Sequence, residues 1–169
     1  MDLCFVDWRA ITPIFAALIA SGTAFYISSK WRKQKGVEVI ANEAKQTIKD
    51  LLEIIKIVHI ITNKNSTPDE SIDDFKVFKQ LYEPIARSSL YINNCVEIDG
   101  FKEKMEVFFD SCLEFMKLEP EFKPKFYNDE FRKNVEKKVN LIGSTGITMV
   151  NTLIPYSTYQ KEFIFKNKK

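Results

Sequence analysis

Residues 11–35 read ITPIFAALIASGTAFYISSKWRKQK, and this stretch decides how the chain is organised. Its first seventeen residues, 11–27, carry no charge, and four cations follow within the next eight: Lys30, Arg32, Lys33 and Lys35. As a helix, residues 11–27 would be about 25 Å long, slightly short of a hydrocarbon core of roughly 30 Å. Pro13 falls in the first turn, where its missing N–H costs little. The pattern predicts an uncleaved transmembrane helix followed by a basic collar.

Two tryptophans bracket this predicted span. Trp8 and Trp31 are 23 residues apart in the sequence, which corresponds to about 34 Å along a helix. Indole rings favour the boundary between lipid and water, so each tryptophan is expected at one membrane interface. The four collar cations are expected beside Trp31 at the same interface.

Charge on the two sides of the span predicts its orientation. Asp2, Asp7 and a lone Arg9 precede it, whereas the collar follows it. A secretory signal carries its positive charge before the apolar run, the reverse of this order. The positive-inside rule places the N-terminus outside and the rest in the cytoplasm, in an inner (plasma) membrane. A buried core helix and a signal peptide are the alternatives.

Small residues recur at every fourth position within the span, at Ala16, Ala20, Ala24 and Ser28. At that spacing they form one ridge along a helix, and small ridges let transmembrane backbones approach closely. The ridge predicts that copies of the chain pack against one another in the membrane, so a homo-oligomer is expected.

The charge balance divides the chain unevenly. We place the membrane segment and collar in residues 1–36 and a cytoplasmic helical domain in residues 37–169. Residues 37–120 hold ten cations and sixteen anions, whereas residues 121–169 hold ten cations and five anions. The basic C-terminal part is therefore the better place to look for an anionic ligand. A solvated surface accounts for the same bias without a ligand.

Composition favours an all-α domain, since five Gly and six Pro accompany abundant Lys, Glu, Ile and Leu. Residues 37–58 carry a heptad seam: Val37, Ala41, Ala44, Ile48, Leu51, Ile55 and Val58. Such a seam occurs both in coiled-coil oligomers and in bundle cores, and both interpretations remain open. A second apolar face, at Leu52, Ile54, Ile57 and Ile61, favours burial of the C-terminal half of this helix.

Three further helical regions follow. Thr67 and Pro68 are typical of a helix start, and Pro84 is expected to kink or end that helix near Glu83. A stripe of Phe101, Met105, Phe108, Cys112 and Phe115 predicts a core helix. Another helix is expected to bury Phe131, Val135, Val139 and Ile142 and to stop at Gly143. Residues 144–169 fit either a short β element or a short helix before Pro155.

No catalytic motif appears in the sequence, and we expect a protein that is not an enzyme and holds no metal or cofactor. There is no G-x-S-x-G, Walker or G-x-G-x-x-G pattern. His59 is the only histidine, and Cys4, Cys95 and Cys112 lack metal-ligand spacing. We expect His59 to be an ordinary helix residue and the cysteines to be reduced.

One polar stretch, LIGSTGI at 141–147, is a candidate site for an anion. If Thr145 begins a helix, its first N–H groups and the Ser144 and Thr145 hydroxyls can hold a phosphate. Four cations precede it and would attract an anion: Arg132, Lys133, Lys137 and Lys138. The simpler interpretation is helix capping without a ligand. Polymeric nucleic acid is not expected, because residues 37–169 carry twenty cations against twenty-one anions.

The layout of one N-terminal span, a basic collar and a small helical domain resembles the membrane effectors of type III CRISPR systems. In that family a cytoplasmic domain binds a cyclic oligoadenylate, a small nucleotide second messenger, and the oligomeric membrane part disturbs the bilayer. The resemblance implies that the basic C-terminal part reads the messenger and that the Ala16–Ser28 ridge packs the oligomer. Two alternatives are a membrane-tethered scaffold that recruits a protein partner and a phage-type lysis or exclusion protein.

Overall fold

The computed structural model describes residues 8–62, 68–119 and 129–166. They contain four helices: α1 (Trp8–Ile61), α2 (Pro68–Cys95), α3 (Phe101–Met116) and α4 (Asp129–Ser157). The predicted all-α class is confirmed. By its contacts the chain divides into two units, Met1–Val39 and Ile40–Lys169. The division lies three residues after the boundary that charge and composition suggest.

The first unit, in its described part, is the N-terminal portion of α1. Every side chain from Thr12 to Lys35 is exposed, including large apolar ones such as Ile19 at 68% and Phe25 at 71%. The Thr23 hydroxyl donates to the carbonyl oxygens of Ile19 at 2.6 Å and Ala20 at 3.1 Å. Its hydrogen bonds are therefore made within the helix, as an apolar environment requires.

The second unit is a four-helix bundle in which each helix runs opposite to the next. In an antiparallel pair of helices, contacts further along one helix involve residues further back on the other. Between α2 and α3 the contacts are Tyr82–Phe109 and Phe78–Phe115. Between α3 and α4 they are Lys104–Thr152 and Glu114–Lys138. Lys45 near Tyr159 and Ile55 near Gly146 show that α1 also runs antiparallel to α4. Helices α1 and α3 are therefore parallel to each other.

The core of the bundle is rich in aromatic side chains. Phe75 and Phe78 of α2 and Phe115 of α3 are fully buried. The Phe115 ring stacks on Phe75 with centroids 5.2 Å apart and meets Phe78 edge-on at 5.4 Å. The predicted α3 stripe is buried at all five positions, and the four predicted inward residues of α4 are buried as well.

The heptad seam of α1 forms part of this core. Its members Ala41, Ala44, Leu51 and Val58 are buried, whereas Val37, Ile48 and Ile55 are half-buried. The stripe buried most completely is turned slightly around the helix and consists of Ile40, Ala44, Thr47, Leu51, Ile54, Val58 and Ile61. The interpretation as a bundle core is therefore correct for this stripe. On the second apolar face, by contrast, Leu52 is 47% exposed.

Neither Pro84 nor Gly143 ends its helix. Helix α2 continues through Pro84 to Cys95, and α4 continues through Gly143 to Ser157. Both extensions bury apolar side chains, among them Ile85 and Ile92 on α2 and Met149 and Leu153 on α4. This burial, at roughly 1.5–3 kcal/mol per large side chain, outweighs the local preference of a proline or glycine to end a helix.

The expected β element near the C-terminus is reduced to a single bridge. Within the described ranges, the only strand-like pairing is an isolated bridge between Val96 and Phe165. The Glu97 N–H donates to the Ile164 carbonyl at 2.8 Å, and the Lys166 N–H donates to the Cys95 carbonyl at 3.0 Å. This short contact fastens the C-terminal tail to the end of α2.

Gly146 lies where α4 comes closest to two neighbours. A Cβ atom at this position would lie 2.8 Å from Ile55 Cδ1 of α1 and 3.2 Å from Phe108 Cε2 of α3. At Gly143, one turn earlier, the nearest such contact is 4.0 Å, to His59 Nε2. The absence of a side chain at position 146 therefore lets three helices meet at one level.

We predict opposite stability changes for Gly146→Ala and Gly143→Ala. The first forces Ile55 and the Phe108 ring to shift, and overpacking of this kind costs about 1–3 kcal/mol, which exceeds the gain of up to about 1 kcal/mol from replacing a helix glycine by alanine. The second adds a methyl group whose nearest neighbour, His59 Nε2 at 4.0 Å, is at ordinary van der Waals distance. It also removes a helix-weakening glycine, which stabilises by up to about 1 kcal/mol. Thermal unfolding of the full chain in detergent micelles measures both. Equal shifts of the two melting temperatures would contradict the close contact at Gly146.

Candidate functional site

The most prominent surface of the chain is the apolar part of α1. Within residues 8–62, 68–119 and 129–166, one helix is long and apolar enough to cross a membrane, and the apolar window in it has no buried residue. Side chains such as Ile14, Phe15 and Leu18 are at least 60% exposed. A contiguous apolar surface of this kind is rare on proteins surrounded only by water. This part of the molecule has the properties of a membrane contact.

The residues predicted to pack or anchor this segment all lie on α1. The ridge residues Ala16, Ala20, Ala24 and Ser28 are exposed, so they are accessible to another helix. Trp31 is 58% exposed, and the four collar cations are exposed too. Lys35 forms an ion pair with Glu38 at 2.8 Å. Trp8 is the first residue of α1, and its side chain lies outside the described set.

The predicted phosphate-binding helix start is not present. Ser144 and Thr145 lie inside α4, and both hydroxyls donate to the Leu141 carbonyl oxygen, at 3.1 Å and 2.7 Å. The backbone N–H groups at this point belong to the interior of a helix. The prediction that Thr145 begins a helix is therefore wrong, because α4 gains buried contacts by continuing through Gly143.

Among the predicted cations whose side chains the structure describes, Lys138 differs from Lys133 and Lys137 in its surroundings. Lys138 Nζ donates to Glu114 Oε2 of α3 at 3.0 Å, and the Lys138 side chain is only 21% exposed. Lys133 and Lys137 are exposed on α4, whereas the Arg132 side chain lies outside the described set. Whether these residues bind an anion stays a prediction. Lys133 and Lys137 have the exposure that such binding needs, and Lys138 is already engaged.

A groove between α3 and α4, which sequence patterns did not indicate, is a concave feature of the bundle surface. It consists of two adjoining open cavities of about 270 and 220 Å³ that share Val107 as a lining residue. Val107 and Leu141 form its apolar floor and are 49% and 45% exposed. The other lining residues are Glu103, Lys104, Asp110, Ser111, Glu114, Lys138, Thr145 and Thr148.

Polar links between the two helices lie near the ends of this groove. Lys104 Nζ donates to Thr152 Oγ1 at 3.0 Å near one end, and Lys138 pairs with Glu114 near the other. Three carboxylates and two ammonium groups line the groove, so its formal charge is −1. An apolar floor with a slightly acidic rim suits an apolar or basic helix better than a phosphorylated ligand.

The sequence pattern did not indicate this groove, because the apolar period of α3 marks the face of the helix that packs in the core. Glu103, Val107 and Asp110 have helical spacing, but Val107 is a single aliphatic residue between charged ones. That pattern is typical of a solvated face. A signal becomes apparent only when α4 brings Leu141 alongside, since the two apolar side chains then form one continuous floor.

Among the residues that the structure describes, no three His, Cys, Asp or Glu side chains converge. His59 is exposed on α1. Cys112 is buried, and burial raises the pKa of its thiol, which makes this sulfur unreactive at neutral pH.

No protein-family model, curated protein or solved structure matches the chain.

We predict that Glu114 titrates far below an ordinary glutamate. Hydrogen bonds from Lys117 and Lys138 lower the pKa of its carboxyl from 4.5 to about 2. Because the pKa is depressed in the folded state, the stabilisation is fully present above pH 4.5 and is lost as the pH falls through about 2. NMR titration of the full chain in micelles tests this. Lys117→Met and Lys138→Met should each raise the midpoint, and an unchanged midpoint in both would contradict the assignment.

Proposed function

We propose that the chain is a single-span protein of the bacterial inner membrane, with its N-terminus outside and its helical bundle in the cytoplasm. The observation that carries this proposal is the apolar part of α1, whose side chains from Thr12 to Lys35 are all exposed. Lipid would remove this apolar surface from water, with a gain of about 25 cal/mol for each Å² covered. The collar cations favour the cytoplasmic side for everything that follows them.

The proposal extends to an oligomeric effector that disturbs the membrane. The exposed small-residue ridge supports close packing of spans from several copies. The apolar segment and the first helix of the bundle are both parts of α1 (Trp8–Ile61). A ligand that binds one packing of the bundles more tightly than another can shift the arrangement of the spans.

The proposed trigger is a small anionic messenger of the cyclic oligoadenylate class. The excess of cations in residues 121–169 supports it, and the exposed pair Lys133 and Lys137 supplies ammonium groups for phosphate oxygens. Lys138 contributes only by leaving Glu114. The proposed site is thus the exposed surface of α4 around Lys133 and Lys137, and not the groove between α3 and α4.

A membrane-tethered scaffold is the second candidate. The groove over Val107 and Leu141 favours it, because an apolar floor with polar links at its ends fits an amphipathic helix. A lysis or exclusion protein is the third, and its signature is damage to the membrane without any trigger.

We predict the orientation as follows. In intact spheroplasts of cells expressing the full chain, an epitope at the C-terminus should resist added protease and become sensitive after permeabilisation. Replacing Lys30, Arg32, Lys33 and Lys35 by glutamate removes the orienting charge and should expose the epitope in a large fraction of molecules. Cleavage of the epitope on the unmodified chain in intact spheroplasts would overturn the orientation.

The trigger has its own test with the full chain in lipid nanodiscs and liposomes. Labelled cyclic oligoadenylates should bind at micromolar concentration, and Lys137→Glu should weaken binding roughly tenfold or more. Lys76→Glu, an exposed lysine on α2, is the control and should leave binding unchanged.

Dye-filled liposomes separate the three candidates. Leakage that requires the cyclic oligoadenylate supports the effector, and leakage without it supports a lysis protein. Tight liposomes under both conditions support the scaffold. Absence of binding at micromolar ligand overturns the messenger.

A further inference from the structure

Contacts at Gly146 fix the relative heights of α1 and α3. Because this glycine touches both Ile55 and Phe108, these two residues lie at the same level of the bundle. Helices α1 and α3 run in the same direction, so levels elsewhere follow from counting residues at 1.5 Å each. Any outward-facing residue of α1 can thus be matched to a residue of α3 at equal height.

The outward side of α1 carries a short amphipathic stripe, which we call the α1 stripe: Lys49, Leu52 and Lys56. Their spacing of three and four residues places them on one face. All three side chains are exposed, Leu52 at 47%. An aliphatic residue is thus flanked by two cations. Lys56 pairs with Glu53 on its own helix at 3.0 Å, and an exposed pair of this kind exchanges partners at little cost.

The α3 side of the groove carries a stripe of the opposite charge, which we call the α3 stripe: Glu103, Val107 and Asp110. Its spacing of four and three residues again gives one face. All three residues line the two cavities, and all are exposed. An aliphatic residue is here flanked by two anions. Leu141 of α4 widens the apolar part.

The two stripes match in height. Lys49 lies six residues before Ile55, and Glu103 lies five before Phe108, a difference of about 1.5 Å along the bundle. Lys56 lies one residue after Ile55 and Asp110 two after Phe108, again about 1.5 Å apart. For Leu52 and Val107 the difference is about 3 Å, which a side chain can span.

We infer that the groove between α3 and α4 receives the α1 stripe of a second copy of this chain. Anchoring in one membrane gives the copies one orientation, and in a parallel contact at this register each cation meets an anion and Leu52 meets Val107 and Leu141. This step rests on the proposed membrane anchoring and on no ligand. A symmetric contact between two α1 stripes is disfavoured, because it would place Lys49 against Lys49 and Lys56 against Lys56.

The contact uses a different surface on each partner, so every copy offers one stripe and one groove. A head-to-tail contact of this kind repeats from copy to copy and either closes into a ring or continues as a row. In both cases it gathers the membrane spans that belong to successive copies. The bundle therefore supplies an assembly contact that is separate from the Ala16–Ser28 ridge.

Cross-linking of full chains in native membranes tests this contact. Lys49→Cys and Glu103→Cys, on two differently tagged chains expressed together, should join through a short bis-maleimide into a product carrying both tags. As a control, Lys102→Cys replaces Glu103→Cys, because Lys102 is exposed beside Glu103 but lies on another face of α3. The unmodified chain controls for cross-links through the native cysteines. A chain with both substitutions should give a ladder beyond the dimer.

Charge reversal supplies the second measurement. Lys56→Glu on the Lys49→Cys chain should lower the yield of the mixed product about threefold, and Asp110→Lys on the partner should restore it. Three outcomes would each overturn the contact. The mixed product does not form, two Lys49→Cys chains cross-link to each other, or the double variant gives dimers and nothing larger. If cysteines placed on the Ala16–Ser28 ridge cross-link while the bundle pair does not, the proposal of an oligomer stands and only this contact is wrong. If neither pair cross-links, the proposed oligomer is wrong as well.

Discussion

Three helices of the bundle depend on one close approach. At Gly146 the side chain is a hydrogen atom, and the space that a methyl group would take is filled by Ile55 of α1 and Phe108 of α3. Dispersion contacts weaken steeply with distance, so this approach lets α4 pack against both neighbours at once. It also sets the heights of the outer faces. The groove beside Val107 and the stripe around Leu52 are consequences of that arrangement.

In the described part of a single copy, the apolar segment of α1 and the groove over Val107 and Leu141 are both uncovered, and they differ in kind. The N-terminal part of α1 is apolar on all sides, which suits lipid. The groove over Val107 and Leu141 is narrow and bordered by carboxylates, which suits a helix with flanking lysines. In our proposal a membrane covers the first surface and a neighbouring copy covers the second. Anchoring in a membrane also raises the local concentration of neighbours, so a small contact between bundles suffices.

Sequence periodicity predicted the elements well and their ends poorly. The aromatic stripe of α3 and the inward residues of α4 are buried as expected, since a 3.6-residue period reports directly which face is apolar. Neither helix ends at Pro84 or Gly143, because burial beyond each residue outweighs its local preference. The predicted helix start at Thr145 is absent for the same reason, since that residue lies inside α4.

By itself, the sequence determined the apolar segment at 11–27, the cations after it and the helical class of the rest, because each depends on residues close together in the chain. Only the tertiary structure decided which side of the α1 seam is buried, that Lys138 is engaged by Glu114, and that Val107 and Leu141 form one floor. These features depend on the neighbour that each helix receives. A repeat of apolar residues specifies a face, whereas the identity and height of the facing helix come from packing.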